Sequence, residues 1–422
     1  MADFTQTLPD ELCVHILSHL DVASLAAAAQ TCTNWNRLAA DNSPWRAATH
    51  REFPGDPLVP ALAPLTAAVG WRHTYREVAR IRANWSAGRC ALRFLTGHTG
   101  GVWGLDRLTD SGLLVSVGFD NVVRRWDLRA MAEVDVLRRL SAGPNNFRAV
   151  GGDLVVGIHD GAINIWDLPS RSLLACLRTP YTNLTAMRAW RASSGLRIAL
   201  GTSSGDVRIL HVPLVHGTPV LDEAGTANYE LELDETPHED AVRSLAVADD
   251  GSAIVSAGKD IAMFSVSPPR LVQAFPGHTP LSVSAVTFDA TTVVSGSGDR
   301  TVRVWDVASG LELAVLEGHT RTVSAVAMAG SLIASGSSDG TVRVWSRLDG
   351  TLLHTLTLPD PATNSGLGNP LSLAFDPTSI VVGLRTGSIA GIGRRPARRV
   401  GRDRCAGYCL GNGSDQGPDM AL

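Results

Sequence analysis

The chain has 422 residues, 44% of them hydrophobic, with 37 Lys and Arg against 41 Asp and Glu for a formal net charge of −4. This length exceeds one ordinary globular domain, and the hydrophobic fraction can supply a large core. The near-neutral charge gives no general case for nucleic acid or an anionic membrane as partner, and no run approaches the roughly 18 apolar residues of a spanning helix.

The first elements in the chain are helical. Thr7 and Asp10 fit a capping box, with Pro9 in the first turn, where its missing N–H costs nothing. Leu12, Ile16 and Leu20 recur at helical spacing with Leu17 beside them. Asp21 is placed to cap a second helix running through Leu25 toward Cys32, and Trp35, Leu38 and Trp45 continue the apolar set. About forty residues cannot easily bury this much hydrocarbon internally, so part of it is expected to be a partner surface. A Pro-rich linker, 54–64, follows. Beyond it Val69, Trp71, Tyr75, Val78, Ile81 and Trp85 form one amphipathic helical stripe over 65–85.

The N-terminal stretch resembles an F-box. The resemblance rests on Leu8, Pro9, Asp10 and Glu11, then Ile16, Leu17 and Leu20, then Trp35, Leu38, Asp41 and Trp45. It implies a small all-α module that binds the Skp adaptor of a Skp–cullin–F-box ubiquitin ligase. The adaptor-binding residues it implies are Leu8, Pro9, Leu12, Ile16, Leu17, Leu20, Trp35 and Leu38.

A different pattern begins near residue 89. Residues 295–306 read SGSGDRTVRVWD, and Gly296 and Gly298 could be taken for a phosphate-cradling loop. The stretch recurs at 335–346, 116–127 and 156–167, with Asp120 and Asp160, Asp299 and Asp339, Trp126 and Trp166, and Trp305 and Trp345 each 40 residues apart. A phosphate loop opens a helix, whereas here Val302 and Val304 alternate with Arg303, and Val342 and Val344 with Arg343, as in a strand. A Gly-His pair precedes three of the units, at His98, His278 and His319. These features resemble the WD-repeat β-propeller, whose blades are four-stranded sheets. The family's buried network implies structural roles for His98, Ser116, Asp120 and Trp126, for His278, Ser295, Asp299 and Trp305, and for His319, Ser335, Asp339 and Trp345. A Ser-His-Asp set that repeats at the pitch of the fold belongs to the fold, so no catalytic residue is expected.

The remaining units are degenerate. Blade 2 keeps Asp160 and Trp166 but has Gly143-Pro144 in the Gly-His place. Blade 3, about 182–212, has Ser204 and Leu210 in the Asp and Trp places, and blade 4 keeps His238, Ser256 and Asp260 with Phe264 for Trp. Blade 7 has three strand-like runs, with Thr386 and Ile392 at the key positions, and the segment 89–95 is expected to supply its fourth strand and close a seven-bladed ring. Two positions per blade line the partner-facing end in this family. Here they imply a substrate rim of Trp103, Phe119, Arg148, His159, Arg243, Lys259 and Arg385, suited to an acidic or phosphorylated peptide. An acidic insert, 213–240, is expected to join blade 3 to blade 4 at this end.

The domains expected are therefore an F-box at 5–50, a helical linker at 51–88, a mainly β propeller at 89–393 and a disordered Arg- and Gly-rich tail at 394–422. The six cysteines show no framework spacing, and Cys405 and Cys409 have no partner pair, so neither disulfides nor a metal are expected. No signal peptide is read at the N-terminus, and a cytosolic or nuclear protein is expected. Together the two resemblances imply a substrate-recognition subunit. Its partners would be the Skp adaptor, the cullin scaffold and a target protein, with no cofactor, nucleic acid or membrane. The alternative is a WD-repeat scaffold whose F-box is non-functional.

Overall fold

A computed structural model describes residues 8–393 except 54–58, 60–62, 87–90, 109–111, 140–145, 151–152, 160–161, 171, 182, 216, 222–225, 279, 360–367 and 377–378. Thr7, Cys90, Gly143, Pro144, Asp160, most of the Pro-rich linker and the whole 394–422 tail, with Cys405 and Cys409, lie outside the described residues. The chain divides into a helical unit before residue 90 and a β unit after it.

The helical unit holds α1 (Asp10–Ser18), α2 (Val22–Ala29), α3 (Thr33–Ala39), α4 (Asn42–Glu52), α5 (Ala63–Val69) and α6 (Trp71–Ser86). Pro9 is the N-cap of α1 and no side chain caps it. The Asp10 carboxylate, read from sequence as part of a capping box with Thr7, accepts a two-pronged bond from Arg37, at 2.7 and 2.9 Å. Asp21 does cap α2, accepting from Ser24 N–H at 2.7 Å, and Asp41 caps α4 through Ser43 N–H. Cys13, Leu17, Leu25, Leu38, Trp45 and Ala48 form the buried core of these helices, with Trp71 and Tyr75 packed against it. The indole of Trp45 donates to Ala39 O at 2.7 Å, so the largest core side chain leaves no polar atom unpaired.

The stripe over 65–85 is two helices rather than one. Gly70 sits at φ +87°, a conformation open to glycine, and an added Cβ would lie 2.7 Å from Asn42 Oδ1. That same oxygen accepts from Trp71 N–H at 2.8 Å and so caps α6 from a neighbouring helix. The break leaves Val69 exposed while Val78 and Ile81 are buried.

The β unit is a ring of seven antiparallel sheets, and five of them take their strands in consecutive order. The seventh is built from Pro370–Asp376, Ser379–Leu384, Ile389–Gly393 and, from the other end of the unit, Ala91–Leu95. Leu92 pairs with Ile392 and Phe94 with Ala390 in an antiparallel register. This closure removes an open sheet edge at the seam. Adjacent blades share apolar layers, for example Trp305 with Val255, Ile261 and Phe275 of the preceding blade.

Blade 3 differs from the sequence expectation. Its third strand, Val207–Val215, is longer than expected, turns through Thr218–Pro219, and pairs along its other edge with Glu230–Glu235. The acidic stretch is thus largely the outer strand of blade 3 rather than a loop over the rim. Glu232 and Asp234 meet Arg197 and Arg208 on that blade's own strands, each at 2.8 Å. Between the two strands the chain reaches back to blade 2, where Ala227 N–H bonds to Cys176 O. Cys176 is half-buried.

Candidate functional site

The repeated Ser-His-Asp sets are assembled with the spacing of catalytic triads. His98 Nδ1 is 2.8 Å from Asp120 Oδ1 and its Nε2 is 2.7 Å from Ser116 Oγ. His278 makes the same pair of contacts with Asp299 and Ser295, both at 2.8 Å, and His319 with Asp339 and Ser335 at 2.9 and 2.8 Å. Each serine is fully buried, and each accepts an indole N–H, from Trp126, Trp305 or Trp345, at 2.7, 2.9 and 2.8 Å. The chain of donors closes when the imidazole is neutral: tryptophan donates to serine, serine to Nε2, and Nδ1–H to aspartate. The hydroxyl proton is committed and no substrate can reach it, so these sets hold blades together.

Two degenerate blades show what a missing member costs. In blade 2 the residue opposite Asn164 is Gly157. No serine can accept there, and Trp166 Nε1 is buried without a partner among the described residues. In blade 4 His238 Nε2 meets Ser256 Oγ at 2.7 Å, but Asp260 is exposed and His238 Nδ1 has no partner among the described residues. Asp260 therefore does not complete the network that the sequence suggested.

Burial pushes His98, His278 and His319 below the ordinary imidazole value, and the carboxylate beside each offsets only part of that. His238 has no such carboxylate, and burial pushes it down to about 4. The unfolded chain takes up this proton near the ordinary value of 6.5, the folded chain only near 4. Between those values the unfolded state binds more protons, so the stability present above pH 6.5 is lost as pH falls toward 4. His238 alone should account for up to roughly 3 kcal/mol of that loss. Urea midpoints at pH 7.5, 6 and 5 check this. A flat profile would contradict a buried neutral imidazole.

At one end of the channel Trp103 and Phe119 stack with ring centroids 5.1 Å apart, and Phe119 is 61% exposed. Arg243 and Arg385 are exposed, while Lys259 is paired with Glu239 at 2.8 Å. The acidic segment thus neutralises Lys259, one of the rim cations expected from sequence. The side chains of Arg148 and His159 are not among those described. Below the rim lies a cavity of about 230 Å³, lined by the innermost strands of six blades and including Trp103, Arg188 and Arg243. Sequence reasoning missed Arg188. It sits outside the two rim positions, although a charge among the apolar residues of the strand Leu184–Ala192, which also carries Arg191, was a signal. It also missed a set of hydroxyls that stitch one inner strand to the next. Thr185 donates to Val242 O at 2.6 Å, Ser324 to Pro370 O at 2.6 Å and Ser372 to Val102 O at 3.0 Å.

In the helical unit, Leu8, Leu12 and Ile16 are 37%, 51% and 41% exposed and lie at i, i+4, i+8, with exposed Pro9 beside them. Leu17 and Leu38, expected on the adaptor face, are instead fully buried in the unit's own core, because the opposite side of α1 packs on α3 and α4. Leu20 and Trp35 are half-buried against the same core.

Residues 5–51 match the family described as F-box-like, and residues 89–127, 269–306 and 310–346 match the WD domain, G-beta repeat. The chain joins an F-box-like motif to a propeller of WD repeats. It is 27% identical over 165 residues to the probable E3 ubiquitin ligase complex SCF subunit sconB of Arthroderma benhamiae, a match covering 32% of this chain and 25% of that protein. The chain therefore spans about a quarter of the length of that fungal relative. It is 27% identical over 348 residues to the F-box/WD-40 repeat-containing protein At5g21040 of Arabidopsis thaliana, covering 71% of this chain and 63% of that one. The WD repeat-containing protein pop1 of Schizosaccharomyces pombe is 24% identical over 337 residues, covering 76% and 42%. Among solved structures, the WD40 β-propeller domain of Doa1 superposes with a TM-score of 0.57 at 20% identity, over 72% of this chain and 97% of that one, a likeness of fold. The family matches fall on blades 1, 5 and 6, the three whose Ser-His-Asp-Trp sets are complete.

Proposed function

We propose that the protein is the substrate-recognition subunit of a Skp–cullin–F-box ubiquitin ligase and works in the cytosol or nucleus. The observation that carries this is one chain holding both an F-box-like helical unit with an exposed apolar row, Leu8, Leu12 and Ile16, and a seven-bladed propeller. The first would bind the Skp adaptor, and through it the cullin. The second would hold the target protein. Such a subunit forms and breaks no bond itself; it raises the local concentration of the target near the charged ubiquitin carrier. The name of the fungal relative as an SCF subunit supports this role.

The stacked Trp103–Phe119 pair and the cations Arg243 and Arg385 make the rim suited to an acidic or phosphorylated segment of the target. The test is a trap in cells with the proteasome blocked, comparing proteins held by the full chain and by one lacking residues 1–50. Targets should accumulate on the truncated form, which should hold neither adaptor nor cullin. A full chain that captures no adaptor would favour a plain scaffold. Trapped targets should bind an Arg243→Glu, Arg385→Glu variant at least about tenfold more weakly, since hydrogen bonds to charged groups are the strong ones. Unchanged binding, with no effect of phosphatase, would place recognition elsewhere on the propeller.

A further inference from the structure

We propose that the propeller channel binds a small free oxyanion of the phosphate class, held on its blade 3 to blade 5 side by Arg188, Arg243, Ser244 and Ser284. This site stands whether or not the rim receives ligase targets. The cavity of about 230 Å³ carries two guanidinium-bearing residues from adjacent blades and no carboxylate in its described lining. Among the described residues neither arginine has an acidic partner, and Arg188 makes one long bond, at 3.3 Å, to Met187 O. Two cations lining one cavity repel each other, and its walls concentrate their field on whatever enters.

Hydrogen-bond accounting gives the site its side and its sign. A hydroxyl has one proton to give. The protons of Thr185, Ser324 and Ser372 go to backbone carbonyls of the next blade, so these groups can only accept within the channel. Ser244 differs, because its oxygen accepts from Val286 N–H and, among the described residues, nothing takes its proton. Ser284 lines the same cavity, and its hydroxyl has no partner among the described residues. The uncommitted hydroxyl and guanidinium donors are thus gathered on blades 3, 4 and 5. Guanidinium offers donors and no acceptor, so the ligand that satisfies this group is an anion rich in acceptors.

Size and depth argue for a free ion. With about 30 Å³ per water molecule, the cavity takes a phosphate-sized ion and its remaining waters. Arg188 lies four residues into its strand, roughly 13 Å beyond the strand's first residue. Trp103 and Arg243, by contrast, stand at the beginnings of theirs.

The test uses the purified full chain, with melting curves and calorimetric titration of sodium phosphate and pyrophosphate against sodium chloride at matched ionic strength. Phosphate is expected to raise the melting midpoint and chloride is not. Arg188→Met and Arg243→Met should each weaken phosphate binding by at least about tenfold, and Ser284→Ala by a smaller factor. Ser284→Ala removes one small hydroxyl and keeps the test valid if an arginine variant unfolds. No phosphate effect beyond that of chloride, or the same affinity in all three variants, would overturn the proposal. A short phosphoserine peptide serves as the second arm. If it binds and free phosphate neither binds nor competes, the arginines serve a docked peptide and the free-anion site is wrong.

Discussion

Trp345→Ala is expected to destabilise the propeller by about 3–5 kcal/mol. The indole is 2% exposed and fills the layer between blades 5 and 6 with Val302, Val304, Leu316 and Val323. Its removal leaves a cavity that neighbours held in a closed ring cannot readily collapse to fill. It also takes the donor from Ser335 Oγ, a fully buried atom that joins the indole to His319. Trp166→Ala removes a side chain of the same size whose N–H has no partner among the described residues. It should cost less by about one hydrogen bond, roughly 1 kcal/mol. Arg343 shares the face of Trp345, its guanidinium lying 5.8 Å from the ring centre. Arg343→Ala should lose only that half-buried contact, on the order of 1 kcal/mol. Urea denaturation of the three variants decides the matter. Equal losses would mean that the Ser-His-Asp-Trp set does not bear on stability as described.

Ile16→Glu is expected to abolish capture of the Skp adaptor while leaving both units folded. Ile16 is 41% exposed, so a carboxylate there stays in water in the free protein. At an apolar interface the variant would lose roughly 1.5–3 kcal/mol of aliphatic burial and would have to desolvate a charge as well. Leu17→Glu, one residue along, should act in the opposite place. Leu17 is fully buried among Cys13, Leu25, Leu38 and Trp45, so a charge there unfolds the helices. Circular dichroism beside a pull-down separates the two: Ile16→Glu keeps its helical signal and loses the adaptor, Leu17→Glu loses both. Retained capture by Ile16→Glu would remove α1 as the adaptor face.

The pair Ile16 and Leu17 also shows where sequence stops being sufficient. Their spacing marks an apolar helix, but both residues are aliphatic, and only the packing of α1 on its neighbours decides which one faces water. The 40-residue period, the turn aspartates and the alternation of Val302, Arg303 and Val304 are local features repeated along the chain. A repeat that cannot bury itself alone has to stack, so the propeller, its seven blades and the closing strand near residue 91 were legible before any coordinates. The partners of charged side chains were not legible, because they depend on contacts far apart in sequence. Asp10 looked like a cap and is held by Arg37, 27 residues away. Glu232 and Asp234 belong to a stretch read only as a connection between blades 3 and 4, and they meet Arg197 and Arg208 within their own sheet. Arg188 is one arginine among many in the sequence, and only closure of the ring makes it line the same cavity as Arg243, with no carboxylate in the described lining. Periodic burial is written into each segment, whereas the pairing of charges and the contents of the channel are fixed only when strands from different blades meet.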